Sequence, residues 1–232
     1  MVTIKGLQKT CLVDYEPYTA CVVFLAGCNF RCGYCHNPDL VLRPNEIDTI
    51  KEEEFFSFLD SRKKWIDGVV ISGGEPCAYK DLPSFASKIK EKGFLVKLDT
   101  NGSNPILLKE LLDKKLLDRV AMDIKTSLDD YNAVIGFEIN PAKIKRSIDL
   151  IKESDIEYDF RTTVVPGLIT KENVVKIGEL LKGSKKFTIQ NFRDKTDMIE
   201  TRFKNVKPYS TEELEEMKES IKDCFDEVVI KN

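Results

Sequence analysis

From residue 20 onward, short apolar runs alternate with longer amphipathic stretches. The runs at 20–25, 68–72, 94–99, 119–124, 157–165 and 186–191 are rich in Val, Ile, Leu and Phe, and most end in Gly, Asp, Asn or Ser, as strands do. Helical patterns lie between them at 51–64, 82–92, 105–115, 141–153 and 171–182, and a last one at 211–222 precedes a short apolar run at 227–231. Asp81 before Leu82-Pro83 and Asn104 before Pro105 place candidate N-caps ahead of first-turn prolines. Gly93 and Gly183 stand where a glycine would end a helix. Six strands with helical crossovers predict a parallel sheet covered by helices. Continuous curling makes this an α/β fold of the partial (β/α)6 barrel kind, and a flat doubly wound sheet is the alternative. No repeat or linker interrupts the pattern. The expectation is one domain over residues 1–232, with residues 1–19 as a short N-terminal β extension.

In either architecture the ligand site lies at the carboxyl ends of the strands. The unusual residues fall there. A cysteine loop follows the first strand, Gly73-Gly74-Glu75 the second, and Asp99-Thr100-Asn101-Gly102 the third. Asp123 and Lys125 mark the end of the fourth, and Pro166-Gly167 follows the fifth.

The cysteine loop reads GCNFRCGYCHNPD over residues 27–39, with Cys28, Cys32 and Cys35 inside eight positions. What such a cluster does depends on compartment. The N-terminus has no long apolar segment of the secretory kind, and the longest apolar run, at 20–26, is far short of the ~20 residues that span a bilayer. A cytoplasmic protein is therefore expected, whose thiols stay reduced and whose clustered cysteines suggest metal before disulfide. The net charge of −3 gives no support for a nucleic-acid or anionic-membrane partner. Three readings of the cluster remain. Cys32-Gly-Tyr-Cys35 could be a redox dithiol, and Cys28, Cys32, Cys35 and His36 could form a Cys3His zinc site. An iron–sulfur cubane with three protein ligands would leave one iron open to substrate. Zinc ligands usually come from two arms, and His36 beside Cys35 could scarcely turn back to the same ion. Spacing and position at the barrel mouth favour the open cluster.

With Tyr34 before the last cysteine, the Cys-x3-Cys-x2-Cys run resembles the signature of radical S-adenosylmethionine enzymes. The resemblance implies a [4Fe-4S] cluster held by Cys28, Cys32 and Cys35, with S-adenosylmethionine chelating the open iron. It also implies reductive cleavage of that cofactor to a hydrogen-abstracting 5′-deoxyadenosyl radical. Ser72-Gly73-Gly74-Glu75-Pro76 is similar to the family segment whose main chain meets the methionyl amine, a role suited to glycine because backbone must approach a ligand closely. Leu98-Asp99-Thr100-Asn101-Gly102 and Met122-Asp123-Ile124-Lys125 resemble the cofactor-contacting segments of glycyl-radical-enzyme activating enzymes. In some members the carboxylates also hold a monovalent cation, here expected near Asp99 and Asp123. Lys125 suits the methionyl carboxylate, with Ile124 turned outward to the helices. The bland alternative is that both aspartates cap the following helices. Arg161, in Phe160-Arg161-Thr162-Thr163, resembles the family arginine that reaches the cofactor, and an arginine within an apolar strand is costly unless paired. The Tyr34-Cys35-His36 stretch is expected to seat the adenine by its backbone, the His36 imidazole being packed rather than catalytic. Gln190 is a further candidate for the adenine.

The resemblance covers nearly the whole chain and is nearest to activating proteins of anaerobic ribonucleoside-triphosphate reductase, through KTCLVDY, KLDTNGSNP, VAMDIK and FRTTVVPGL. It implies removal of a glycine Cα hydrogen from that partner, with ferredoxin or flavodoxin as electron donor. The alternatives are activation of another glycyl radical enzyme, a small-molecule radical enzyme, or a non-catalytic metal module. A small-molecule enzyme would bring extra convergent polar groups to its inner surface. The recognised polar residues are already assigned to the cofactor, and residues 194–207 read as a loop for docking a protein. Cys11, Cys21, Cys77 and Cys224 are expected to ligate nothing.

Overall fold

The computed structural model describes residues 1–194 and 197–232. Its strands form one sheet in strict sequence order: β1 Ile4–Cys11, β2 Ala20–Leu25, β3 Gly68–Gly73, β4 Leu95–Thr100, β5 Arg119–Asp123, β6 Glu157–Val164, β7 Ser184–Asn191 and β8 Phe225–Lys231. β1 runs antiparallel to β2, and all later neighbours are parallel. β1 and β8 are the two edges, so the barrel is open. Six parallel strands are predicted, and seven occur among the described residues. The extra one is the short run after the last helix, whose half-buried Val228, Val229 and Ile230 are too few to read as a strand alone. β1 lies within the expected N-terminal extension.

The helices are α1 Pro38–Leu42, α2 Glu52–Arg62, α3 Leu82–Glu91, α4 Pro105–Asp113, α5 Tyr131–Ile135, α6 Pro141–Lys152, α7 Lys171–Leu181 and α8 Thr211–Glu219. α1 and α5 are a single turn or so each, too short to show a 3.6-residue period. Asn104 caps α4, its side chain accepting from Leu107 N at 3.2 Å. Asp81 stands at the start of α3 without capping it and pairs with the Met1 ammonium. Gly93 and Gly183 close α3 and α7 with φ of +88° and +81°.

Strand periodicity gives the two faces of the sheet different chemistry. Cys21, Val23 and Leu25 of β2, Val69 and Ile71 of β3, Val96 and Leu98 of β4, and Phe187 and Ile189 of β7 join the main core under the helices. Each such side chain, removed from water, contributes about 1.5–3 kcal/mol. On the other face, Val22 and Val70 pack with Tyr15 and Cys11 in a second, small apolar cluster. Further round the barrel that same face carries Lys97, Arg119, Asp159, Arg161 and Lys186, lining an interior cavity of about 740 Å³. Parallel register sets Asp123 directly opposite Arg161.

Candidate functional site

At the carboxyl ends of β2 to β7 lies a second cavity of about 340 Å³. Its wall includes Cys28, Cys32, Tyr34, Cys35, His36, Gly73, Gly74, Glu75, Asp99, Thr100, Asp123, Lys125, Arg161 and Gln190. The structure thus brings together residues from six separate stretches of sequence. Ile124 is the exception among the expected cofactor contacts. Its side chain is fully buried in the main core and does not line the cavity. Its backbone N–H donates to Arg161 O at 2.7 Å, and its carbonyl accepts from Thr162 Oγ1 at 2.8 Å, so Ile124 braces β5 against β6.

The glycines are required by the chain itself. A Cβ on Gly74 would stand 1.7 Å from Gly27 O, and Gly73 has φ of +118° with the β2 backbone 2.4 Å from where its Cβ would be. Two backbone bonds sew the loops together: Gly74 N donates to Leu25 O at 2.9 Å, and Glu75 N to Gly27 O at 2.8 Å. Close approach is the reason for glycine, as expected, but the partner is the start of the cysteine loop.

Glu75 is a clamp. Its buried carboxylate accepts from Cys77 N at 2.8 Å, Thr100 Oγ1 at 2.7 Å and Asn101 N at 2.7 Å. Burial pushes its pKa up, against the pull of those donors. Thr100 is therefore engaged with Glu75, and together they lock the loop after β3 to the loop after β4.

Asp99 and Asp123 form an ion-pair network and do not cap helices. Arg161 Nε donates to Asp123 Oδ1 at 2.8 Å, and its Nη1 reaches Asp99 Oδ2 at 3.4 Å. Lys97 Nζ meets Asp99 Oδ1 at 2.9 Å, and Lys125 Nζ meets Asp123 Oδ2 at 3.1 Å. Burial raises both carboxyl pKa values, but Arg161 with Lys97 or Lys125 outweighs it, leaving Asp99 below the usual range and Asp123 at about 2. Lys125 is held well above its ordinary value, burial being overcome by Asp123. The guanidinium of Arg161 bridges the two carboxylates.

His36 stacks on Phe192 with ring centroids 5.9 Å apart, and its Nε2 lies 3.0 Å from Arg193 O. Of the docking segment, residues 195 and 196 lie outside the described residues. The rest packs more closely than a free loop: Met198 and Phe203 are buried, Phe203 meets Tyr34 edge-on at 6.0 Å, and Glu200 N donates to Gly33 O at 2.9 Å.

The cavity suits a thiolate-bound cluster with an organic cofactor. Three thiols share one wall, with Phe30 N donating to Cys28 Sγ at 3.3 Å and Asn37 N to Cys35 Sγ at 3.4 Å. Burial pushes the Cys28 and Cys32 thiols up, to about 12 and about 11, and raises Cys35 too, so iron must displace their protons. Beside them the buried Tyr34 hydroxyl has no hydrogen-bond partner among the described residues. An orphaned polar atom on a cavity wall is what a bound polar molecule would satisfy.

Sequence reasoning missed the charged interior. Lys97, Arg119, Asp159 and Lys186 lie on the concave face, paired as Lys97–Asp99, Arg119–Asp159 at 3.6 Å and Lys186–Glu227 at 2.8 Å. The expectation that the inner surface lacks further convergent polar groups is not met.

Comparison with known proteins agrees with this geometry. The family model described as the Radical SAM superfamily matches residues 22–182. A candidate glycyl-radical enzyme activating enzyme of Methanocaldococcus jannaschii is 37% identical over 234 residues, covering 98% of this chain and 95% of that protein. The pyruvate formate-lyase-activating enzyme of Clostridium pasteurianum is 32% identical over 192 residues, covering 78% of this chain and 77% of its own. Among solved structures, Streptococcus suis SuiB bound to S-adenosylmethionine shares the fold with a TM-score of 0.68 at 16% identity. That match covers 89% of this chain and 48% of SuiB, so the chain spans about half its length. This chain belongs to the Radical SAM superfamily, whose enzymes work with a [4Fe-4S] cluster and S-adenosylmethionine.

Proposed function

We propose that this protein is a glycyl-radical-enzyme activating enzyme whose partner is an anaerobic ribonucleoside-triphosphate reductase. The carrying observation is 37% identity, across 98% of the chain, to a candidate activating enzyme. The choice of reductase rests on the resemblance of KTCLVDY, KLDTNGSNP, VAMDIK and FRTTVVPGL to that group. When bound, the cluster and S-adenosylmethionine supply the radical chemistry that removes hydrogen from a glycine Cα.

The chain's own residues bind and orient. Cys28, Cys32 and Cys35 hold the cluster. The Gly73-Gly74 main chain faces the methionyl amine, and Lys125 the methionyl carboxylate, with Asp123 fixing the ammonium in place. Arg161 serves the same end from β6, while Tyr34, Cys35, His36 and Gln190 shape the wall for the remainder of the cofactor. Glu75 and Thr100 act as the brace that keeps these loops in register. A ferredoxin or flavodoxin would supply the electron, in the cytoplasm, where thiols stay reduced. No helix among the described residues is long and apolar enough to cross a membrane.

Lys125→Ala is expected to weaken S-adenosylmethionine binding by ~1.5–3 kcal/mol, the worth of a lost charged hydrogen bond, with iron content unchanged. Calorimetry checks this, and wild-type affinity would remove Lys125 from the site.

The polar interior favours a second reading, a small metabolite as substrate, because it supplies the convergent groups such a site needs. A panel separates the two. The reduced protein and S-adenosylmethionine are incubated anaerobically with an anaerobic ribonucleotide reductase, with pyruvate formate-lyase, or with neither. A glycyl radical in the reductase arm alone supports the proposal; a radical only in the second arm moves the partner. Stoichiometric metabolite turnover without protein overturns it.

A further inference from the structure

The side chains of Asn29 and Asn101 have no role in the reading above, yet their amides form a closed chain beside Cys28. Asn101 is 5% exposed. Its Oδ1 accepts from Ser103 N at 2.9 Å, and because a backbone N–H can only donate, the oxygen must lie on that side. The Nδ2 is therefore turned the other way, 3.0 Å from Asn29 Oδ1 and 3.9 Å from Cys28 Sγ. Asn29 is fixed by the same logic: its Oδ1 accepts from Asn101, so its Nδ2 donates to Ser103 Oγ at 2.9 Å. Nothing in this chain can flip without breaking a neighbour's bond. One N–H of Asn101 is thus held toward the sulfur.

We propose that Asn101 is a positioning residue of the iron–sulfur centre, its carboxamide donating to the Cys28 sulfur and thereby raising the reduction potential of the cluster bound there. A donor aimed at a ligand sulfur stabilises the more negative, reduced state. The backbone N–H of Asn101 meanwhile holds Glu75 Oε2 at 2.7 Å. A side-chain substitution leaves that backbone bond in place, so the amide can be tested without releasing the carboxylate.

The inference rests on the cluster reading of the three cysteines, which the iron content and cubane spectrum of the wild-type protein test first. The test proper is a redox titration followed by electron paramagnetic resonance on reconstituted Asn101→Ala, Asn101→Asp and Asn29→Ala. Both Asn101 variants are expected to load iron and bind S-adenosylmethionine as wild type. At a fixed poise their ratio of reduced to oxidised cluster falls about threefold to tenfold, the worth of one hydrogen bond. Asn29→Ala leaves Cys28 Sγ as the acceptor for Asn101 Nδ2, and its ratio holds or rises. Unchanged potentials in iron-loaded Asn101 variants would overturn the proposal, as would a fall in Asn29→Ala equal to theirs. Loss of iron from all three variants would also overturn it, by assigning the amides to folding of the loop alone.

Discussion

Changing any one of Cys28, Cys32 or Cys35 to Ala abolishes the oxygen-sensitive cubane spectrum, whereas changing Cys11, Cys21, Cys77 or Cys224 leaves it. The expected effect is all or none because a cluster with three protein ligands has none to spare. The three thiols share one cavity wall, and backbone N–H groups already point at two of their sulfurs. The other four are placed for different work. Cys21 and Cys77 are packed in the main core, and Cys11 donates its thiol to Asp14 Oδ2 at 3.0 Å beneath the β1–β2 loop. Cys224 packs against the core near Gly178. Iron analysis and absorption spectra after anaerobic reconstitution check this. A spectrum lost in Cys77→Ala and kept in Cys28→Ala would refute the ligand assignment.

The second large effect is on stability. Arg161→Ala removes the guanidinium between two half-buried carboxylates and leaves Asp99 and Asp123 facing each other. Breaking a buried pair by deleting one partner costs about 3–5 kcal/mol, because the remaining charge has no compensation. Lys97 and Lys125 each still hold one carboxylate, which favours the lower end. Arg161→Lys keeps the charge but loses the fork, and should cost less. The pH dependence follows from Asp123. A carboxyl whose folded pKa is about 2, against 3.8 for the free group, stabilises the fold at every pH above the free value. That contribution is lost as pH falls from about 4 towards 2. Without Arg161 the folded pKa rises, so the gap narrows and the variant gains less from Asp123 at neutral pH. Denaturant titrations at pH 7 and in acid measure both effects. A loss under ~1 kcal/mol at pH 7 would show the network to be dispensable.

The position of the site is legible in the sequence because strand ends collect the residues that a parallel sheet cannot use in its core. Asp99 and Asp123 stand out in this way, and Arg161 stands out as a charge within an apolar strand. That they are one another's partners is not legible, since the pairing depends on strand register across 38 residues, from Asp123 to Arg161. The Glu75 clamp is hidden for the same reason, joining loops 25 and 26 residues apart. The charged interior is a different case. Lys97 and Asp99, then Asp159, Arg161 and Thr163, then Lys186, Thr188 and Gln190 all recur at a spacing of two, which marks one face of a strand. Reading those strands simply as apolar runs conceals a signal that alternation carries. Gly74 shows a subtler limit: the need for glycine is readable, but the carbonyl of Gly27 that imposes it is not.

The most direct measurement of the central claim follows one hydrogen atom. The anaerobic reductase is prepared with deuterium at its glycine Cα and mixed with the reduced protein and S-adenosylmethionine. Loss of the glycine hydrogen to the cofactor predicts one deuterium in each 5′-deoxyadenosine formed, together with a glycyl radical signal on the reductase. 5′-Deoxyadenosine free of deuterium, with no radical on the reductase, would contradict the account.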